Sequence, residues 1–205
     1  MRVEIEFGTD GRAVVKAIDL TGDAWRDYLH YLAETQQAEA ASNRRTKNRA
    51  LRSALANLFA HLDGVVTGLH DRLRRKNEFA PYKPPSGRYC TLKNKIDDIR
   101  RYTIQRLRIR LPVLDLKLKP LRDVLMHPGV TKLATDRATG IPGELSEADL
   151  YSLTAKDIDA CGQQIDRWLS QVCRAHNIDR FHDTKRICKE WAENLGTMEH
   201  EPQEL

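Results

Sequence analysis

Residues 2–7 alternate between charged and apolar side chains, with the apolar ones at the odd positions. A strand has this period of two, because successive side chains point to opposite faces of a sheet. Residues 8–11 (Gly-Thr-Asp-Gly) are typical of a turn, and residues 12–18 can return as a second strand. The pattern predicts an N-terminal β-hairpin. A lone hairpin is marginally stable, so it must pack on the protein or pair with another chain.

The rest of the chain has the period of a helix, with apolar residues recurring every three or four positions. Thr21 or Asp23 is the expected N-cap of the first helix, and Thr91 that of the third. Stretches rich in Pro and Gly at 77–90 and 140–143 predict loops. The predicted helices lie at about residues 23–40, 43–75, 91–111, 115–126 or 120–126, 146–176 with a restart near Thr154, and 183–194.

These elements predict a mainly α-helical bundle with a short N-terminal β-hairpin. We divide the 205 residues into a hairpin (1–20), a connecting helix (21–42), a helical bundle (43–196) and an acidic tail (197–205). No apolar run approaches the length of a membrane span, and the alternating N-terminus is unlike a secretory signal. We therefore expect a cytoplasmic protein without a membrane partner.

Charge is distributed unevenly along the chain. Residues 41–132 carry 22 Lys and Arg against 7 Asp and Glu, a net charge of +15, whereas the remaining residues carry 12 against 22, a net of −10. A basic field of this kind attracts polyanions such as nucleic acid. The alternative is a set of solvated helix faces with scattered arginines.

Cysteine and histidine spacing gives no indication of a metal site. The four cysteines form no C-x-x-C pair, and Cys161 and Cys173 fall on the apolar face of one predicted helix, as reduced core residues do. His61 is expected to be a half-buried core or groove residue, and His176 and His182 to be surface residues. We expect neither a metal nor a cofactor.

The segment 119–129 (Lys-Pro-Leu-Arg-Asp-Val-Leu-Met-His-Pro-Gly) combines two groups that could act together on a phosphodiester. Arg122 can hold a phosphate, and His127 can move a proton near neutral pH. Side chains five positions apart on a helix diverge by about 140°. They converge only if His127 lies at or beyond the helix end, as the following Pro-Gly favours.

This pattern, an arginine, a polar residue, three further residues and a histidine, resembles the motif of HEPN domains. These are all-α nucleotide-binding and ribonuclease modules of prokaryotic toxin–antitoxin and anti-phage systems. The order of helices also fits: a long apolar helix over 50–69, a helix opening at 91–96, the motif helix, and a closing helix through Trp168. The resemblance covers about residues 43–176. The position after the arginine is often Asn in the family and is Asp123 here.

The resemblance implies a metal-independent endoribonuclease, plausible as a toxin or phage-defence effector. RNA supplies its own nucleophile, the 2′-hydroxyl. His127 would be general acid or base, Arg122 would stabilise the phosphate, and Asp123 would orient one of them. A homodimer is implied, with an antitoxin as a possible partner protein. The cations expected to contact RNA are Arg44, Arg45, Arg100, Arg101 and Lys119.

Two other functions remain open: a catalytically silent RNA- or nucleotide-binding module, and a dimeric scaffold or regulatory protein. In a purely structural interpretation of the motif, His127 bonds the last carbonyls of its helix and Arg122 pairs with Asp123 or Asp115. Three tyrosines interleaved with Lys and Arg could stack on bases or simply cover the edge of the core. They are Tyr82, Tyr89 and Tyr102.

Overall fold

The computed structural model describes the backbone of residues 2–7, 13–75, 91–126, 133–135, 142–144 and 151–181, and the side chains of 19–74, 91–123 and 151–181. The protein is mainly helical, as the sequence predicts. The elements, in chain order, are β1 (Arg2–Phe7), β2 (Ala13–Ile18), α1 (Leu20–Ala40), α2 (Arg44–Arg75), α3 (Leu92–Leu107), α4 (Lys119–Met126), β3 (Leu133–Thr135), β4 (Pro142–Glu144) and α5 (Ala155–Ala175).

A tight turn joins α1 to α2 in a helical hairpin. Ser42 has a positive φ of 54°, and the backbone N–H of Asn43 donates to the carbonyl of Ala38 at 2.8 Å. The side chain of Asn43 accepts a hydrogen bond from the backbone N–H of Thr46, which satisfies a donor in the first turn of α2. The turn therefore ends one helix and starts the next within three residues.

The predicted N-cap of α1 is wrong. The cap residue is Asp19, which precedes both expected candidates. The Thr21 hydroxyl donates to the Asp19 carboxylate at 2.7 Å, and Asp23 pairs with the exposed Arg26. Both candidates are thus engaged inside the helix.

Helix α2 lies at the centre of the core and contacts α1, α3, α4 and α5. Its buried stripe begins at Ala50 and continues to Leu73, which explains why a 32-residue helix with basic ends is stable here. Helix α1 shares this core through Tyr28 and Leu32. The largest fully buried side chains are Trp168, Tyr28, Phe59, Leu51, Leu55, Leu58, Leu62, Ile99, Ile158, Ile165 and Leu169.

Helix α3 begins at the predicted cap, where the Thr91 hydroxyl accepts from the backbone N–H of Asn94 at 3.2 Å. It ends at Arg108, which has a left-handed φ of 52°. The chain then crosses α5, and the indole N–H of Trp168 donates to the carbonyl of Pro112 at 3.2 Å. This crossing leads into α4 and fixes its start against the bundle.

Helix α5 restarts at Thr154, as predicted. Its capping box is complete: Thr154 accepts from the Asp157 backbone N–H, and Asp157 accepts from the Thr154 backbone N–H and hydroxyl. The Thr154 hydroxyl, followed by its backbone N–H, holds the pKa of the Asp157 carboxyl below its ordinary value. Cys161 and Cys173 are buried and unbridged on this helix, and burial raises the pKa of Cys161 to about 11.

Two antiparallel strand pairs complete the described backbone. β1 pairs with β2 in the register Arg2↔Ile18 to Phe7↔Ala13. β3 pairs with β4, with Thr135 opposite Pro142. The second pair corrects the sequence analysis, which predicts a loop at 140–143. Proline is compatible with the first position of a strand, so its presence did not exclude one.

Several predictions fall outside the described residues: His127, His182, the loop at 77–90 with Tyr82 and Tyr89, the helix at 183–194 and the acidic tail at 197–205. Within the described residues, no helix is both long enough and apolar enough to cross a bilayer.

Candidate functional site

Helix α4 presents a compact ionic cluster made of three polar side chains. The Arg122 guanidinium Nη1 donates to Asp123 Oδ1 at 3.0 Å, and the Lys119 ammonium donates to Asp123 Oδ2 at 2.7 Å. The pairing of Arg122 with Asp123 is the one that the structural interpretation anticipates. However, two cations share one carboxylate, so the cluster stays net positive. The buried Nε of Arg122 has no hydrogen-bond partner among the described residues.

Arg122 and Lys119 line a cleft of about 300 Å³ between α2, α3 and α4. This volume is at the lower end of the range that small-molecule sites occupy. Three of its lining residues are cations and one is an acid. The lining residues are Phe59, Asp63, Thr91, Leu92, Lys95, Lys119 and Arg122.

Lys95 is the third cation of the cleft, and a short relay of hydrogen bonds positions it. Its ammonium donates to the Thr67 hydroxyl at 2.8 Å, and that hydroxyl donates to Asp63 Oδ1 at 3.3 Å. Thr91 and Leu92 place the first turn of α3 beside the same cleft. The N-terminal end of a helix carries partial positive charge, which adds to that of the three cations.

The other cations predicted to contact RNA lie elsewhere. Arg44 lines a separate recess at the start of α2, and its neighbour Arg45 is exposed. The 19 positions from Arg44 to Asp63 correspond to about 28 Å along a helix. Arg100 and Arg101 lie farther along α3 and do not line the cleft. Only Lys119 of the five predicted cations joins Arg122 there.

His127 follows α4 directly, since the helix ends at Met126. Its position lies outside the described residues, so the convergence of Arg122 and His127 stays a prediction.

His61 is fully buried, not half-buried as predicted. Its Nδ1 lies 2.6 Å from the carbonyl of Thr21, and its Nε2 accepts from the Arg180 Nε at 3.0 Å. Burial is the main cause that lowers the pKa of His61 to about 4, and the Arg180 charge adds to it. The Arg180 guanidinium also packs over Trp25 and pairs with Asp166. His61 is therefore a structural residue.

Two more side chains, for which the sequence allowed a place at the surface or against RNA, are buried or half-buried. His176 is half-buried, with its Nε2 2.8 Å from the Thr103 hydroxyl, and its ring stacks on Tyr102. Tyr102 is only 3% exposed, so it covers the core and cannot stack on a base. His70, which the sequence places on the same long helix as His61, is buried with its Nε2 3.2 Å from Asp98 Oδ2.

No cluster of three or more potential metal ligands occurs in the part of the chain that the structure describes. The candidate site is therefore defined by its cations and by their hydrogen-bond partners.

Sequence analysis missed Lys95, Asp63 and Phe59. A signal was present in their spacing, because Phe59, Asp63 and Thr67 recur every four positions on α2, and Thr91 and Lys95 do so on α3. Such spacing places residues on one face of a helix. It does not indicate which faces of two helices meet.

Comparisons with protein-family models, curated proteins and solved structures find no match. The function must therefore be argued from the site.

Proposed function

We propose that this protein is a metal-independent endoribonuclease of the HEPN type, with Arg122 as the ligand of the scissile phosphate and His127 as the proton-transfer group. The observation that carries the proposal is the cleft, where Arg122 and Lys119 of the motif helix meet Lys95 and the first turn of α3. A phosphodiester is the ligand class that such a concentration of donors and positive charge favours.

The chemistry requires few groups. The RNA 2′-hydroxyl attacks the adjacent phosphorus, its proton passes to a base, and the leaving 5′-oxygen takes a proton from an acid. His127 takes part in one or both proton transfers. Arg122 neutralises charge that develops on the phosphoryl oxygens, and Asp123 restrains the Arg122 guanidinium through the 3.0 Å hydrogen bond. The role of Lys119 is to hold Asp123 from the other side.

The test is cleavage of a mixed single-stranded RNA pool in EDTA. We expect products with cyclic phosphate ends and no cleavage of the corresponding DNA, which lacks the nucleophile. His127→Ala should lower the rate by about 10²–10⁴-fold, the usual contribution of a general acid or base. Arg122→Ala should lower it by about 10²–10³-fold, as loss of one stabilising donor does.

Matched controls are His30→Ala and Arg167→Ala, which change exposed residues of α1 and α5 outside the cleft. Both should keep the full rate. Undiminished cleavage by His127→Ala would overturn the proposal. A folded protein that binds RNA through Arg122 but never cleaves it would establish the second candidate, a silent binding module. The Asp123 carboxylate favours this candidate, because its negative charge beside Arg122 opposes the stabilisation of charge that develops on a phosphate.

A further inference from the structure

The cations of the cleft come from two helices and differ in their partners. On α4, Lys119 and Arg122 both bond to Asp123. On α3, Lys95 donates to the neutral hydroxyl of Thr67, and no ion pair joins it to a carboxylate of a described residue. The Asp63 carboxylate accepts from the same Thr67 hydroxyl, so this hydroxyl lies between Asp63 and Lys95. Lys95 therefore keeps its full charge for a ligand.

The start of α3 strengthens this side of the cleft. Thr91 and Leu92 line it, and the Thr91 hydroxyl and carbonyl already satisfy the backbone N–H groups of Asn94 and Lys95. The earlier amides of the first turn have no partner within a helix, and they are the groups that bind anions at helix N-termini. Lys95 and these amides lie on the same helix, one turn apart.

We propose that the cleft holds two successive phosphates of one RNA strand, the scissile phosphate on Arg122 and its neighbour on Lys95 and the first turn of α3. The inference rests on the proposed function for the identity of the strand, and it adds a positioning residue, Lys95, to the site. The cleft of about 300 Å³ has cations on two of its sides, Arg122 on α4 and Lys95 on α3. Binding the neighbouring phosphate would fix the register of the strand over the reacting group.

The test is the salt dependence of RNA binding, measured by fluorescence polarisation on His127→Ala protein so that the strand stays intact. Each phosphate neutralised on a single strand contributes about 0.7 to the slope of log K against log salt. Between about 50 and 200 mM salt, Lys95→Gln and Arg122→Gln should each lower the slope by about 0.7. The double variant should lower it by about 1.4, since the two phosphates are separate.

Lys156→Gln is the matched control, because Lys156 is exposed on α5 and outside the cleft. It should leave the slope nearly unchanged, and Lys95→Arg should keep the slope of the parent. A double variant that loses no more than either single variant would overturn the inference, since both cations would then share one phosphate. Equal effects of Lys95→Gln and Lys156→Gln would also overturn it.

A second measurement needs no change at Lys95, which is half-buried. The His127→Ala parent should bind UpUpU, with two phosphates, with a slope about 0.7 steeper than it binds UpU, with one. Equal slopes would contradict two phosphate sites. If slopes behave as expected but the wild type cleaves no RNA, the proposed ribonuclease function fails and the two-phosphate site stands. If the wild type cleaves and Lys95 has no effect, only the inference fails.

Discussion

His61 is held in its neutral form by the groups that enclose it. The Nδ1 hydrogen is directed to the Thr21 carbonyl, which leaves Nε2 as the acceptor for Arg180. A proton on Nε2 would face the Arg180 N–H and remove this hydrogen bond. The hydrogen bond to the Thr21 carbonyl and the charges of Asp19 and Asp166 favour the protonated ring, but burial dominates and lowers the pKa.

The stability of the protein should therefore fall as acidity rises through the titration of His61. With a folded pKa of about 4 and an ordinary value of 6.5, the unfolded chain binds more protons between these two pH values. The contribution of His61 is complete above pH 6.5 and is lost towards pH 4. Its full size is about 3 kcal/mol. Urea unfolding at several pH values measures it.

The histidine ring signals in NMR provide the control. The ring of His61 should stay neutral until about pH 4. Between pH 4 and pH 6.5, the unfolding free energy of His61→Gln should depend less on pH than that of the wild type. Titration of His61 near pH 6.5 would contradict this prediction, because it would mean that the folded protein leaves the ring accessible to water.

At the scale of the elements, α1 and α5 approach so closely that only glycine fits at position 162. A Cβ there would lie 2.0 Å from the Tyr28 hydroxyl oxygen and 2.6 Å from its Cζ. Tyr28 is 1% exposed and has little room to move. We expect Gly162→Ala to lower the unfolding free energy by about 1–3 kcal/mol, as overpacking does. Thermal and urea unfolding will measure this loss.

Gly68→Ala is the matched control for this prediction. A Cβ at Gly68, on the exposed side of α2, would meet nothing within 4 Å. Alanine there should stabilise the protein by about 0.5–1 kcal/mol, because glycine is a poor helix former. Tyr28→Phe should relieve part of the Gly162→Ala loss, since it removes the nearest atom. Stabilisation by both alanines would disprove the close contact.

The start of α5 gives a second prediction at this scale. Thr154→Ala removes the two hydrogen bonds that the Thr154 hydroxyl makes with Asp157 and should cost about 1 kcal/mol of unfolding free energy. It should also raise the pKa of Asp157, because the Thr154 hydroxyl is the main cause that lowers it. Thr154→Ser, which keeps the hydroxyl, should retain both properties. An unchanged pKa of Asp157, measured by NMR, would contradict this assignment.

The elements themselves were largely predictable from the sequence, and their mutual placement was not. Thr91 caps α3 as predicted, and α5 starts next to Thr154 as predicted, because the start of a helix depends on a few neighbouring residues. The cap of α1 was missed because Thr21 and Asp23 have local partners of their own. Lys95 was missed because its role depends on which face of α3 meets α2.

At the scale of the molecule, two basic regions are separated by about half of a long helix. Arg44 and Arg45 lie at the start of α2, roughly 28 Å along it from Asp63 in the cleft. A strand whose bases stay stacked at about 3.4 Å per nucleotide spans this distance with about 8 nucleotides. The two regions can therefore act together only on a longer strand.

Changing both Arg44 and Arg45 to Gln should thus leave binding of UpUpU unchanged. It should weaken binding of an RNA several times longer than that span, and lower its salt slope by up to about 1.4. Polarisation measurements with both RNAs on His127→Ala protein provide the comparison. Equal effects on the two RNAs would mean that these arginines act on the cleft itself.

Helix α5 covers α1 and α2, although about 80 residues separate its start from the end of α2. A ribosome adding about 5–20 residues per second needs about 4–16 s to make that interval. During this time the apolar side of the α1–α2 hairpin emerges without Trp168 and the other α5 residues that cover it. The pace of translation, more than the stability of the finished bundle, sets how long each nascent copy is exposed to aggregation.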